Sequence, residues 1–311
     1  MKKSLILVCV VVYSLIASAQ DWPDWRGINR DGVWTETGIL EKFESEQIEI
    51  KWSVEIGPGY SGPTVSNGKV YVSDRIEKPN QLERILCIDE QTGKNIWEFS
   101  YDCEYSGVGY PAGPRASVVI NEGKAYSLGT MGNLYCFNAE TGKILWKKDL
   151  NTEYEINMPI WGIASTPLIV DEKIVIHVSG SNNASIVAFN KNTGNEIWRN
   201  LDDRAGYSAP ILIEKNGRRV IVNWTEHSLS GLNPENGAVY WRFPWKTGSR
   251  MSISTPVLYK DHIFVSAFYS GSLLVKLGDD YTTAEKFWQR SGESERKTDA
   301  CLLYTSPSPR D

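Results

Sequence analysis

The chain has 311 residues, of which 41% are hydrophobic and 12 are tryptophan, so it can bury a large core and is neither disordered nor fibrous. Its net charge of −5 argues against a nucleic-acid partner, because such partners normally require a basic face. After the first 19 residues no apolar run reaches the ~18 residues of a membrane-spanning helix, so no transmembrane span is predicted in the mature chain.

The two ends of the chain are set apart from the rest. Lys2 and Lys3 precede an apolar run, and residues 17–19 read Ala-Ser-Ala, which is the layout of a secretory signal peptide over residues 1–19. We therefore expect an exported protein, either periplasmic or extracellular. Residues 301–311, CLLYTSPSPRD, break the pattern of the chain and resemble a translated sequencing adapter, so they are interpreted as a non-native tail.

One phrase recurs along the chain from residue 92 onward. It reads TGKNIW, TGKILW, TGNEIW, NGAVYW and finally a degraded TTAEKFW, and the spacings between its tryptophans are 49, 52, 43 and 47 residues. A fixed period of this length indicates a repeat architecture. The repeat tryptophans, together with an earlier one that lacks the phrase, are Trp52, Trp97, Trp146, Trp198, Trp241 and Trp288.

Each repeat is predicted to form four short strands. In the third copy these are residues 163–170, 173–178, 185–190 and 196–200, which are rich in β-branched and aromatic residues and bounded by turn signals. The glycine of the phrase supplies the positive φ that closes the last turn. These glycines are Gly93, Gly142, Gly194 and Gly237. The tryptophan four residues later is expected to pack as a wedge against the neighbouring sheet.

Four-stranded units repeated in tandem describe a β-propeller, which is an all-β fold. The phrase resembles the A-x-D-x-x-T-G-x-x-x-W repeat of the pyrroloquinoline quinone (PQQ)-like propeller family, over residues 52–288. That resemblance implies seven or eight blades, of which about five are present, so residues 48–300 are interpreted as an incomplete propeller. Residues 20–47 form an N-terminal segment that resembles the start of secreted family members and is expected to turn and pack.

Trp52 lies in a strand-like stretch, residues 48–57, that has no TG phrase. An N-terminal strand of this kind is expected to complete the last blade and so close the ring, which removes exposed sheet edges. A closed ring of five blades is the alternative, but it leaves Trp52 without a blade. Cys87 and Cys136 occupy the same place in successive repeats, too far apart for a disulfide, and are expected to be buried free thiols.

The candidate ligand-binding residues precede the innermost strands, which line the central channel of a propeller. Small residues are expected there because strands crowd at the hub, whereas large ones are expected to fringe the funnel. Arginine with aromatic residues suits a polar ligand, a peptide or a sugar, although these side chains also suit a simple plug of the hub. The candidates are Tyr60, Arg115, Trp161, Tyr207 and Arg250.

No catalytic or metal-binding residues are predicted. His177, His227 and His262 fall in or beside different outer strands, which suggests neither a triad nor a metal cluster. The adjacent pair Asp202 and Asp203 lies in a turn-rich loop and is expected to be solvated.

The resemblance implies two classes of function. One is a monomeric, non-enzymatic scaffold without a cofactor that binds an envelope protein or a glycan, similar to the propeller subunit of the outer-membrane β-barrel assembly machinery. The other is a PQQ- and calcium-dependent dehydrogenase of alcohols or sugars. Enzymes of that kind often carry an adjacent cysteine pair, which this sequence lacks, and no Glu, Asn and Asp set can be assigned around Trp161.

Overall fold

Strands joined by tight turns run through almost the whole described chain. The computed structural model describes residues 20–38, 42–43, 48–247, 251–267 and 270–290, and within these ranges twenty strands form five antiparallel sheets of four. The predicted signal peptide, the predicted non-native tail and the candidate Arg250 lie outside the described residues. The all-β propeller fold with five blades is thereby confirmed. In the described residues no helix is long and apolar enough to cross a membrane.

Each sheet uses four consecutive strands in chain order, and the first strands of neighbouring sheets lie side by side at the hub. The strands of blades 1 and 2 are β1 (Thr64–Ser66), β2 (Lys69–Ile76), β3 (Leu82–Asp89), β4 (Asn95–Asp102), β5 (Val119–Asn121), β6 (Lys124–Leu128), β7 (Asn133–Asn138) and β8 (Ile144–Asp149). A short helix, α1 (Leu150–Tyr154), leads from blade 2 toward blade 3.

The remaining three blades repeat this plan. Their strands are β9 (Leu168–Val170), β10 (Lys173–His177), β11 (Ile186–Asn190), β12 (Glu196–Asn200), β13 (Ile211–Lys215), β14 (Arg218–Trp224), β15 (Ser228–Leu232), β16 (Val239–Pro244), β17 (Val257–Tyr259), β18 (His262–Ala267), β19 (Gly271–Leu277) and β20 (Ala284–Arg290).

The innermost strand of blade 3 is shorter than the sequence predicts. Pairing begins at Leu168 and not at residue 163. Pro167 has no N–H to donate to a ladder, and the N–H of Ile163 donates to Thr130 O of the neighbouring blade at 2.9 Å. Residues 163–167 therefore lie at the hub, where Ile163 bonds to the neighbouring blade, and the chain joins its own sheet only from Leu168.

The repeat tryptophans join one blade to the next. The indole rings of Trp97, Trp146 and Trp198 lie against the glycine turn of the following blade, where a Cβ at Gly142, for example, would lie 2.7 Å from Trp97. Their indole N–H groups, and that of Trp241, also donate to a backbone carbonyl of the following blade. The pairs are Trp97 to Ala139 O at 2.9 Å, and Trp146 to Lys191 O, Trp198 to Pro234 O and Trp241 to Tyr281 O, each at 3.0 Å.

Trp52 makes the same contact with blade 1. Its indole N–H donates to Glu90 O at 2.8 Å, and a Cβ at Gly93 would lie 2.8 Å from its ring. Trp52 thus stands on blade 1 where Trp97 stands on blade 2, although residues 48–57 form no strand with the described residues. Closure of the ring through this stretch stays a prediction.

The hydrophobic cores lie between blades. One cluster joins β2 and β3 to β6 and β7, and the next joins β6 and β7 to β10 and β11. Two further clusters join blades 3 and 4 and blades 4 and 5. Cys87, Cys103 and Cys136 are buried and unpaired, as predicted for the two repeat cysteines.

Small polar side chains form hydrogen bonds between neighbouring blades at the hub. The inner positions carry serine and threonine, whose hydroxyl groups reach the backbone of the adjacent blade because the strands approach closely there. The bonds are Thr64 Oγ1 to Val118 O, Ser165 Oγ to Ser208 O and Ser208 Oγ to Ser254 O, at 2.8–2.9 Å, and Ser117 N to Thr166 Oγ1 at 3.2 Å.

The N-terminal segment crosses the hub. Trp22 forms an antiparallel bridge with Val65 of blade 1, and Pro23 O accepts from Ile120 N of blade 2 at 2.8 Å. The buried Arg30 then donates to Thr166 O and Pro167 O at 3.0 and 2.6 Å, and the Trp25 indole donates to Thr255 Oγ1 beyond blade 4 at 3.1 Å. This segment therefore contacts blades 1, 2 and 3 at the hub and the stretch that enters blade 5.

Candidate functional site at the mouth of the hub

Aromatic side chains surround the end of the channel that lies opposite the N-terminal segment. They come from the loops that enter blades 1 to 4, and Tyr60 and Tyr110 are 51% and 69% exposed. The Trp161 ring lies 5.0 Å from that of Tyr207 and 6.1 Å from that of Tyr110. The Tyr207 hydroxyl also accepts from Trp161 N at 3.3 Å. We call the set Tyr60, Tyr110, Trp161 and Tyr207 the aromatic rim.

Arg115 holds the loop behind this rim. Its guanidinium donates to Gly109 O at 3.1 Å, to Tyr110 O at 2.6 Å and to Gly113 O. It also lies over the Tyr60 ring, with 5.1 Å from Cζ to the ring centroid. Burial lowers the pKa of Arg115. Because these donors are committed to backbone carbonyls, Arg115 orders the rim and has little left for a bidentate bond to an anion.

Four of the five sequence candidates therefore lie on one face, and the fifth, Arg250, is outside the described residues. Arg115 and Tyr207 also line a cavity of 150 Å³ in the channel, whose other walls include Ala164 and Ile253. Trp25 of the N-terminal segment lines the same cavity. Tyr207 of the aromatic rim and Trp25 of the N-terminal segment therefore line the same small cavity.

Sequence reasoning missed a buried carboxylate behind the rim. Glu83 in β3 is 1% exposed and accepts hydrogen bonds from the hydroxyl groups of Tyr101 and Tyr105 and from Thr130 N at 3.1 Å. Burial next to Glu83 raises the pKa of Tyr105, whose ring lies 4.1 Å from the Arg75 guanidinium carbon. Tyr101 and Tyr105 are 18 and 22 residues from Glu83 in the sequence. The sequence of β3 therefore does not indicate that Glu83 has these partners.

The expectation that Asp202 and Asp203 are both solvated is wrong for Asp203. Asp203 is 4% exposed and accepts from Thr225 Oγ1 at 2.5 Å and from Ser228 and Arg242. The β14–β15 turn and β16 surround this carboxylate, whereas the side chain of Asp202 is 75% exposed. The network fixes a turn in blade 4. Asp203 lines none of the cavities described for this chain.

The histidines lie in separate blades and not on outer strands. His177 ends β10 and His262 begins β18, each the second strand of its sheet, and His227 lies in the β14–β15 turn. His177 is bonded through Nε2 to Asn223 Oδ1, and burial lowers its pKa to about 4. Among the described residues, no group of three His, Cys, Asp or Glu side chains is placed to hold a metal ion.

The cavity beside Arg115 and Tyr207 does not fit PQQ. The cavity in the channel holds 150 Å³, below the about 300 Å³ at which small-molecule sites begin. PQQ is a tricyclic tricarboxylate, and the cation at this cavity, Arg115, is bonded to carbonyl groups.

Comparison with known proteins identifies the family. The family model described as outer membrane protein assembly factor BamB matches residues 81–302. This chain therefore belongs to the PQQ-like repeat β-propeller family that this model represents.

Two relatives of this chain are named for different functions. The chain is 29% identical over 227 residues to the quinoprotein alcohol dehydrogenase PedH of Pseudomonas putida, covering 69% of this chain and 36% of that protein. It is 28% identical over 160 residues to the outer membrane protein assembly factor BamB of Shewanella oneidensis, covering 48% of this chain and 36% of that protein. The aligned part thus spans about a third of each relative.

A solved structure supports the fold alone. The quinohemoprotein alcohol dehydrogenase of Comamonas testosteroni superimposes with a TM-score of 0.61 at 17% identity, covering 88% of this chain and 50% of that one.

Proposed function

We propose that this chain is part of an exported, non-catalytic propeller that docks an envelope protein on the aromatic rim. The observation that carries the proposal is the rim itself, in which half-exposed tyrosines stand on loops braced by Arg115. Tyrosine and tryptophan dominate protein-binding surfaces because they bury large area at little cost in side-chain entropy. The similarity to BamB, an outer membrane protein assembly factor, supports this role.

Site-specific crosslinking tests the proposal. A photoreactive amino acid replaces Tyr60 in one variant and Tyr259 in a matched control, since both tyrosines are exposed but Tyr259 lies on the turn side of blade 5. Crosslinked envelope extract is then analysed by mass spectrometry. We expect one envelope protein to be captured at Tyr60, to be absent at Tyr259 and to be displaced by unlabelled chain. Identical capture at the two positions would refute docking on the rim.

The second candidate is a PQQ-dependent alcohol or sugar dehydrogenase, favoured by the 29% identity to PedH. The cavity size and the missing acidic ligand set among the described residues weigh against it. Purified chain is mixed with PQQ, calcium and an artificial electron-accepting dye, and oxidation of ethanol and glucose is followed by dye reduction. Turnover that depends on added PQQ would replace the scaffold proposal with the dehydrogenase.

A further inference from the structure

A second cavity lies on the other face of the hub. The turns after the first strands of blades 1 to 3 surround it, at the opposite ends of those strands from the aromatic rim. Its volume is 480 Å³, within the about 300–1,000 Å³ range of small-molecule sites. Its wall includes the N-terminal segment and three blades, through Asp24, Ile28, Asn67, Asn121, Asp171 and Lys191. We call it the turn-face cavity.

Lys191 is a buried, paired cation in the wall of this cavity. The same place in the turns of blades 2 and 4 holds Ala139 and Pro234, which also accept the repeat tryptophan bond through their carbonyl oxygens. Lys191 is only 2% exposed, and a buried ammonium must be paired to be tolerated. Its Nζ donates to Asn121 Oδ1 at 3.1 Å and lies 3.0 Å from Glu122 Oε2.

The carboxylates in the wall are each neutralised by a cation. Asp24 pairs with Arg30 at 3.1 Å, and Asp171 receives two bonds from Arg219 at 2.6 and 2.8 Å. Glu122 pairs with Lys191. The same ammonium also lies 3.4 Å from Glu172 Oε1. Each carboxylate that lines the cavity therefore has a cation beside it, which favours a neutral polar ligand over an ion.

The pairing also sets which hydrogen-bonding groups remain for a ligand. Because Asn121 Oδ1 accepts from Lys191, the group that Asn121 can offer is its NH₂ donor. The neighbouring Glu122 has its Oε1 as an acceptor. A donor next to an acceptor matches adjacent hydroxyl groups, each of which both accepts and donates. Ile28, which is 65% exposed, and Ile169 supply apolar wall for the C–H face of a ring.

From these features we infer that the turn-face cavity binds a neutral sugar unit of a glycan. The cavity is open to solvent on the turn side, so the unit is held at the end or edge of a longer chain. This site is separate from the aromatic rim. Sugar binding in the turn-face cavity can therefore be tested independently of protein docking on the rim.

Saturation-transfer NMR on the whole chain tests the inference. The probe is a mixture of the methyl glycosides of glucose, galactose, mannose, xylose, fucose and N-acetylglucosamine at millimolar concentration, compared with glucuronate and glucosamine. We expect transfer to at least one neutral glycoside and none to the two charged sugars. Asn121→Leu and Lys191→Met should each weaken that binding ~10-fold or more, because the donor is lost or no longer oriented.

Lys173→Met is the matched control, because Lys173 is also a poorly exposed lysine with a glutamate partner, Glu235 at 2.6 Å, but does not line the cavity. It should bind the glycoside as the unaltered chain does. Thermal melting establishes whether each variant is folded. If Lys191→Met does not fold, the binding measured for Asn121→Leu alone decides the test. Absence of transfer to all six neutral glycosides, preference for a charged sugar, or unchanged affinity in folded Asn121→Leu would each overturn the inference.

Discussion

At the scale of single residues, the contact between tryptophan and glycine explains why the repeat phrase is so regular. Gly142 has a φ of +68° and would place a Cβ 2.7 Å from Trp97, so alanine there meets both backbone strain and a clash. Gly68 has a φ of +72° but nothing within 4 Å of a Cβ, so it is the matched control. We expect Gly142→Ala to lower the free energy of unfolding by about 1–3 kcal/mol more than Gly68→Ala.

Urea unfolding of both variants measures this difference. Equal losses would mean that the left-handed backbone alone demands glycine and that the indole contact adds nothing.

His177 makes stability depend on pH. Burial lowers its folded-state pKa from 6.5 to about 4, so between these values the unfolded chain binds a proton that the folded chain does not. The free energy of unfolding should therefore fall as the pH drops from 6.5 to 4, by about 3 kcal/mol, and this contribution should level off below pH 4. Urea unfolding across that range checks the slope. His177→Gln should remove it, and an unchanged slope would assign the effect to other groups.

The sequence predicted individual residues well where a local rule applied. The glycine turns and the free thiols of Cys87 and Cys136 follow from the repeat phrase and its spacing. The burial of Asp203 did not follow, because its partners Ser228 and Arg242 come from the next hairpin. The same holds for Lys191, whose partner Asn121 is 70 residues away. Long-range polar contacts have no periodic signature.

At the scale of elements, the N-terminal segment depends on one buried ion pair. Arg30 is 5% exposed and supports both Asp24 and the two carbonyls before β9. Arg30→Met should lower the free energy of unfolding by about 3–5 kcal/mol, because it leaves the Asp24 carboxylate, which is only 13% exposed, without its cation. Asp24→Asn combined with Arg30→Met should recover part of that loss. Chemical denaturation measures both, and a double variant no more stable than Arg30→Met would show that the pairing is not the cause.

Strands were predicted more accurately at the outside of a blade than at the hub. The outer strand of blade 3 was predicted at residues 196–200, and β12 has those bounds, since the strand is set by its own turn and tryptophan. The inner strand was predicted five residues too long, because apolar and small residues at the hub look like strand while their backbone bonds go to another blade. Three residues of the aromatic rim, Tyr60, Trp161 and Tyr207, were candidates from the sequence because bulky residues there interrupt a run of small ones. Tyr110 was missed, since it precedes the small residues at the hub by several positions.

At the scale of the whole molecule, no described blade owns a complete core. Each of the four larger clusters combines side chains of two neighbouring sheets, and Trp97, Trp146, Trp198 and Trp241 each contact the blade after their own. If blade 2, 3 or 4 opens alone, it must therefore expose apolar surface on both sides. We infer that the described blades unfold together, even though each contacts only its neighbours.

Cysteine labelling can test this cooperativity, because Cys87 lies buried in blade 1, far from blade 4. Burial raises the pKa of Cys87 to about 11, so its thiol should react with iodoacetamide only after opening.

Trp198→Ala removes the indole that packs between blades 3 and 4 and should lower the free energy of unfolding by about 3–5 kcal/mol. If opening is global, labelling of Cys87 at neutral pH should then accelerate by about a hundredfold to several thousandfold, as followed by peptide mass spectrometry. Trp34→Ala, at a 62% exposed position, should leave the rate unchanged. A Cys87 rate that ignores Trp198→Ala would instead mean that the blades open one at a time.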